Sequence, residues 1–337
     1  MAARKLYATI TNCSGIKSVS VNSSHDNSST VANFEVVSTS LTLGDAVTVD
    51  MGYTDDHQVI FTGYVKQIEH QVPENTYTIL CNDVMVRAME YFIASDSPAS
   101  PLKYQNKTAE SLVGDLMAKA GLTNYTYDVT LFTFGVTKEF EVNLVMVFDY
   151  CNAIADLLTW SLWADSVGTV HFENRKPYPM VNEYPENVQP GWQVDTVEAL
   201  TIIDTMCLEI SDTTSEKNLR NKVVVYGTGE IAANASRVVS LLPAGFYKTA
   251  VLGATEIVDD QATAQNIADY NLDMFCRYTQ QIRATLVGNP SLRARKVHHV
   301  ASTKLGVDAN FYVSQCEHSL SSSGYTTSLG LRRMIKA

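Results

Sequence analysis

The chain reads as mainly β with α+β insertions: two similar antiparallel β-barrel domains plus small α/β modules. Three observations predict this. Short runs rich in β-branched residues, separated by polar turns, fill residues 1–93 and return after residue 186. Apolar residues at helical spacing are confined to stretches between and within those regions. A seven-residue strand signature from the first region recurs near the C-terminus.

In the first region, "ATITNCSGIKSVSVNSS" and "STVANFEVVST" are β-rich and are separated by a Ser/Asn loop from Asn22 to Thr30. "AVTVDMGY" follows a Gly44-Asp45 turn, and Val47, Val49 and Met51 share one face. "TDDHQ" turns into "VIFTGYVKQIEHQV", where the alternation places Ile60, Tyr64 and Ile68 together. "PEN" then turns into "TYTILCND". The Pro/Ser-rich "ASDSPASP" (Ala94 to Pro101) breaks the pattern, so the first barrel is assigned to residues 1–97.

Residues 98–185 form a small α+β module. Leu112, Val113, Leu116, Met117 and Ala120 fall on one helical face, with Thr108 as N-cap and Gly121 as the C-terminal stop. A second helix is predicted from Asp149, with Ile154, Leu157, Leu158, Ser161 and Leu162 at helical spacing and Trp160 and Trp163 inside it. It leads into a strand pair around Ser166 to Gly168. The second barrel is assigned to 186–245 and 280–337, interrupted by an inserted helical segment, 246–279. In that insert Asp259-Asp260 caps a helix whose apolar face is Ala264, Ile267, Ala268, Leu272 and Phe275.

The recurring signature is "YVKQIEH" against "YVSQCEH". Tyr64, Val65, Gln67, Glu69 and His70 match Tyr312, Val313, Gln315, Glu317 and His318, a shift of 248 positions. Tyr77-Thr78 and Tyr325-Thr326 keep the same shift. Both copies read as a long strand, a polar turn and a return strand, so we read a duplicated β-domain. The alternative, a metal site at the Glu-His pairs, fails on geometry, because adjacent strand residues face opposite ways. The repeated residues are therefore expected to anchor a hairpin or to face a neighbouring subunit.

The chain has 337 residues, a hydrophobic fraction of 45%, and a net charge of −11. That length implies more than one core. The acidic balance argues against a nucleic-acid binder, since basic residues gather only in "RARKVHH" (Arg293 to His299) and near Arg332 to Lys336, read as a solvated strand edge and a tail. Six scattered cysteines without CxxC spacing read as reduced core thiols. No signal peptide or membrane-spanning helix is expected, which points to folding in a cytoplasm. Serine-hydrolase, zinc-protease and Walker patterns are missing from the sequence, and Gly227-Thr228-Gly229 reads as a β-turn. No enzymatic activity, cofactor or metal is expected.

The ordered set of "GDAVTVDMGYTDDHQVIFTGYVKQIEH", "KTAESLVGDLMAKAGL", "LRNKVVVYG", "VGNPSL" and "FYVSQCEHSLSSSGYTTSLGL" resembles the baseplate hub proteins of contractile-tailed phages, including the late control protein D family. The same fold lies in the base of type VI secretion spikes. One departure is that Arg295-Lys296 stand where the family opens a strand with a Gly turn, which would strain a turn needing positive φ. The resemblance implies a homotrimer in a virion tail baseplate. Its six barrels would form a pseudo-six-fold ring between a six-fold tail tube and a three-fold spike, touching other baseplate proteins and passing DNA without specific binding. A receptor- or carbohydrate-binding tail module and a hub with cell-wall hydrolase activity are the competing readings.

Overall fold

A computed structural model describes residues 4–26, 29–95, 101–129, 132–174, 196–253 and 257–337. The Ala94–Pro101 break and Trp192 fall wholly or mainly outside them. Within the first region six strands form: β1 (Leu6–Ile10), β2 (Cys13–Ser24), β3 (Val31–Thr39), β4 (Ala46–Tyr53), β5 (Asp56–Gln71) and β6 (Thr76–Asp83). They hydrogen-bond in the order β1-β4-β5-β6-β3-β2. Each strand sends apolar side chains into one cluster, among them Ile10, Val21, Phe34, Met51, Phe61 and Ile79. A sheet can fill one core from all its strands only by curling on itself.

The elements that follow are α1 (Val86–Glu90), β7 (Phe92–Ile93), β8 (Leu102–Tyr104), β9 (Lys107–Thr108), α2 (Ala109–Lys119), β10 (Tyr125–Tyr127), β11 (Thr133–Phe134), β12 (Phe140–Val142), β13 (Val145–Met146), α3 (Val147–Leu157), β14 (Ser161–Ala164) and β15 (Val170–Glu173). Short two-stranded ladders and the sheet β10-β15-β14 surround α2 and α3. Thr108 occupies the N-cap position of α2 without a side-chain cap bond. Gly121 has φ +76°, as a C-terminal stop needs. The second predicted helix is shorter than expected. It ends at Leu157, Thr159 takes φ +59°, and Trp160 and Trp163 belong to the turn and to β14. Both faces of this segment are buried, so its apolar run carries no period that separates helix from strand.

The last third contains β16 (Val197–Ile203), a short 3-10 turn (Asp204–Met206), β17 (Cys207–Ser215), β18 (Lys222–Tyr226), β19 (Ala232–Ser236), β20 (Thr249–Leu252), α4 (Gln261–Phe275), β21 (Arg277–Val287), β22 (Val297–Ser302), β23 (Val307–Ser321) and β24 (Gly324–Lys336). Six of these strands hydrogen-bond in the order β16-β22-β23-β24-β21-β17 around a second core that includes Ile202, Ile282, Phe311 and Leu331. Matching strands by rank along each copy gives the same order as β1-β4-β5-β6-β3-β2. The duplication read from seven residues thus extends to six strands. Even a β-bulge repeats: pairing shifts between Val65 and Gln67 in β5 and between Val313 and Gln315 in β23.

The structure departs from the sequence reading at three further points. First, β1 pairs antiparallel with β4, whereas β16 pairs parallel with β22. A tight turn with Asn12 at φ +55° reverses the chain between β1 and β2. The Asp204–Met206 turn instead bends β16 into β17 without reversal. Second, bulges in β5 shift the alternation, so Phe61 and Val65 enter the barrel core while Tyr64 packs outside it. Third, Lys222–Tyr226, expected in the second barrel, pairs with β19 and β20 in a separate sheet. Its buried Val223 and Val225 join α4 residues Ala264, Ile267 and Ala268 in one core shared with α2 and α3. Asn271 of α4 donates its side-chain amide to the Leu157 carbonyl at 3.1 Å.

The α4 cap forms as the sequence predicts: Asp260 accepts the Thr263 backbone N–H at 2.8 Å. Asp260→Ala is expected to cost about 1 kcal/mol, read as a lower urea midpoint at unchanged m-value. All six cysteines are unpaired thiols, and Cys81, Cys151, Cys276 and Cys316 are buried. No helix among the described residues is long and apolar enough to cross a membrane.

Candidate functional site

The two barrels meet along one ladder. β2 pairs antiparallel with the second half of β23, from Val19 opposite Leu320 to Ser24 opposite Gln315, joining both half-sheets into one of twelve strands. Every repeated residue of the second copy lies at or beside this seam. Outward-facing Glu317 accepts the Ser20 hydroxyl at 3.1 Å, and Gln315 reaches Asn22 at 3.5 Å. His318, on the opposite face, is only 3% exposed. Its Nε2–H donates to the Leu292 carbonyl at 3.0 Å, so its Nδ1 accepts the Tyr325 hydroxyl at 2.7 Å. Burial, reinforced by the nearby Arg293 charge, pushes the His318 pKa down to about 3. Burial likewise raises the Tyr325 phenol. Tyr325 crosses the seam and packs in the first barrel's core, 5.6 Å from the Tyr53 ring. Tyr312 is buried with its ring edge-on to His25.

The same residues of the first copy stand in a different environment. His70 is exposed, lies flat on Tyr77 at 4.5 Å, and contacts the Asn75 side chain at 3.1 Å. Gln67 and Glu69 are exposed as well, and Tyr64 packs under the Arg87 guanidinium at 4.2 Å. The structure therefore separates the two copies: Tyr312, His318 and Tyr325 are buried and Glu317 is half-buried, whereas Gln67, Glu69 and His70 are exposed and Tyr64 and Tyr77 are half-buried; Gln315 is exposed beside the seam. Sequence identity alone carries no signal of that division.

Sequence reasoning missed the basic stretch that locks the modules together. Arg293 to His299 is not a solvated edge. Arg293 donates to the Leu292 and Pro290 carbonyls of its own turn and to the Val59 carbonyl and Gln58 side chain of β5. His298 is buried against the Leu200 carbonyl. Arg295 sits over the Trp163 ring at 5.2 Å and contacts His25 at 2.9 Å, so it touches all three parts of the fold. Trp163 stacks on His171, which lies between Asp165 and Glu173. Burial disfavours charge on His171, but the two carboxylates outweigh it and push its pKa up to about 9. A cavity of about 300 Å³ lies at this junction.

The departure at Arg295 is visible in the backbone. Gly44 takes φ +85° and exchanges hydrogen bonds with Val65 through its own N–H and the Asp45 carbonyl. Arg295 takes φ +68° and makes the matching bonds with Val313 through its N–H and the Lys296 carbonyl. The strained conformation is retained because the side chain binds across the junction. Arg295→Ala keeps the strain and loses those contacts, whereas Arg295→Gly loses only the contacts. The alanine variant is expected to be the less stable by about 1 kcal/mol, measured by denaturant midpoint.

Among the described residues no three His, Cys, Asp or Glu side chains gather to hold a metal. A family profile described as YQBQ-like matches residues 194–332. No curated protein matches the sequence. Among solved structures, a tail protein from Neisseria meningitidis MC58 superposes with a TM-score of 0.69 at 13% identity, covering 98% of this chain and 97% of that one. The 43 kDa tail protein of prophage MuSo2 from Shewanella oneidensis gives 0.67 at 14% identity, covering 99% of each chain. The c3393 protein of E. coli, a type VI secretion component described as similar to T4 tail proteins gp27 and gp5, gives 0.54 at 8% identity, covering 96% of this chain and 76% of its own. The chain therefore has the fold of these tail and secretion proteins, a baseplate hub-like fold.

Proposed function

We propose that the protein is the structural hub of a phage or phage-like contractile-tail baseplate, acting by assembly and not by catalysis. Three chains form a ring of six barrels that joins a six-fold tail tube to a three-fold spike. The observation that carries this reading is the internal one: two barrels of identical strand order, already joined side by side in one sheet. A ring that looks six-fold to one neighbour and three-fold to another needs this duplicated unit, with non-duplicated modules attached to it. Here those modules are the α2/α3 and α4 layers. Other baseplate proteins bind around the ring, and genome passes through it. The net charge of −11 suits a channel that repels phosphate instead of retaining it.

The test is native mass with electron microscopy of purified protein, alone and co-expressed with tube and spike partners. A particle near three times 37.1 kDa, with six equal lobes around a hole, is the expected result. A stable dimer or tetramer in the presence of both partners overturns it.

A further inference from the structure

The cavity where the three parts of the fold meet is rich in donors that the protein itself does not use. Arg295 lines it and makes two hydrogen bonds, both to His25. A guanidinium carries five N–H donors, so three of them have no acceptor among the described residues. The neighbouring Lys296 pairs with Glu198 at 3.4 Å, but among the described residues Arg295 forms no ion pair. The hydroxyls of Ser23, Thr62 and Ser166 line the same cavity and make no hydrogen bond among the described residues.

The carboxylates that also line the cavity are already engaged. Asp83 accepts the Ser29 hydroxyl at 2.7 Å and the Thr30 and Met85 backbone N–H groups at 2.7 and 3.0 Å. Asp165 accepts the Val167 and Thr169 backbone N–H groups. Together with Glu173 it encloses His171, which carries a positive charge at neutral pH. The unspent groups are therefore one cation and three hydroxyls.

The duplication supplies a contrast. Gly44 and Arg295 make matching backbone bonds, to Val65 and to Val313. Thr42, Gly44 and Asp45 thus stand in the first copy where Arg293, Arg295 and Lys296 stand in the second. The first copy has no cation there. The second keeps a backbone conformation that suits glycine and places an arginine on it, at the edge of a cavity.

We propose that this cavity binds a phosphate-class oxyanion, free or as the head of a small phosphomonoester, held by Arg295 with Ser23, Thr62 and Ser166. A guanidinium fork and hydroxyl donors match the oxygens of a phosphate. A volume of about 300 Å³ admits the head group and a few further atoms. Trp163 already carries His171 at 4.4 Å and Arg295 at 5.2 Å, so it is not free to stack a base. Ser23 and Thr62 belong to the first barrel, Arg295 to the second and Ser166 to the α+β module. A bound anion therefore ties all three together and stabilises the native junction by mass action. The site does not depend on the hub reading.

The test is titration of inorganic phosphate at neutral pH and constant ionic strength, with chloride as the balancing ion, followed by calorimetry and by melting temperature. One saturable site per chain and a matching rise in melting temperature are expected. Arg295→Gln is expected to weaken binding by about tenfold or more. Ser166→Asp places a like charge in the cavity from a half-buried turn position, so it should fold as the parent does in chloride and lose phosphate binding to a similar degree. Lys17→Gln, which removes an exposed cation outside the cavity, should bind as the parent does. Glycerol 3-phosphate binding more tightly than phosphate assigns the site to a phosphomonoester, and equal affinity assigns it to the free ion. Absence of saturable heat overturns the proposal. So does a melting-temperature rise that persists in Arg295→Gln and Ser166→Asp, which is a general effect of the salt.

Discussion

Gly288→Ala is expected to destabilise the protein by about 3 kcal/mol, a large effect for one methyl group. Gly288 is buried, and a Cβ there would lie inside the van der Waals envelope of the Tyr325 ring. Its φ is not in the left-handed region, so the cost is steric and not conformational. The ring has no free direction to retreat. It is packed beside Tyr53, its hydroxyl is held by His318, and the first barrel's core lies around it. The first copy shows the alternative. There Val36 occupies the position equivalent to Gly288, opposite Tyr77, and the half-buried Tyr77 ring stacks on His70. The glycine is thus what lets Tyr325 fold across the seam. Truncating Tyr325 in the Gly288→Ala background should recover part of the loss, a non-additivity that a double-mutant cycle in urea measures. Simple additivity of the two changes would sink the explanation.

Acidification is expected to weaken the same seam through His318. The native site holds this imidazole neutral, with its pKa depressed from 6.5 to about 3. The unfolded chain therefore binds a proton that the native chain does not, and stability rises with pH across that window. It is fully present above pH 6.5 and is lost progressively as pH falls toward 3. The full span is on the order of several kcal/mol. His171 shifts the opposite way, to about 9, so its contribution is complete below pH 6.5 and is lost as pH rises through 9. It adds no slope on the acid side. Melting temperature followed from pH 6.5 down to the start of carboxylate titration isolates His318. His318→Gln, which can keep one donor to Leu292 and one acceptor for Tyr325, should flatten that slope. Equal slopes in variant and parent would show that the site does not exclude the proton.

The duplicated unit was legible in the sequence because β-strand side chains at equivalent places keep equivalent types. Tyr64-Val65 with Tyr312-Val313, and Tyr77 with Tyr325, mark the same hairpin with the same bulge. The α4 cap and the Gly44 turn were legible because each is a local hydrogen-bond or dihedral requirement met by one residue type. Other features were not. Lys222–Tyr226 has the pattern of any half-buried strand, and only the position of α4 gave it a separate sheet. The basic run at Arg293 resembles a solvated edge until the first barrel and Trp163 are placed beside it.

By itself, then, the sequence determined the β-rich class, the repeat and the α4 cap, because these follow from periodicity and from neighbours within a few residues. The tertiary structure alone decided which copy of the signature is covered. His70 and His318 are the same residue in the same local sequence. One lies on the surface and the other is sealed beneath β2, because burial and charge state depend on what packs across the chain from positions nearly three hundred residues away.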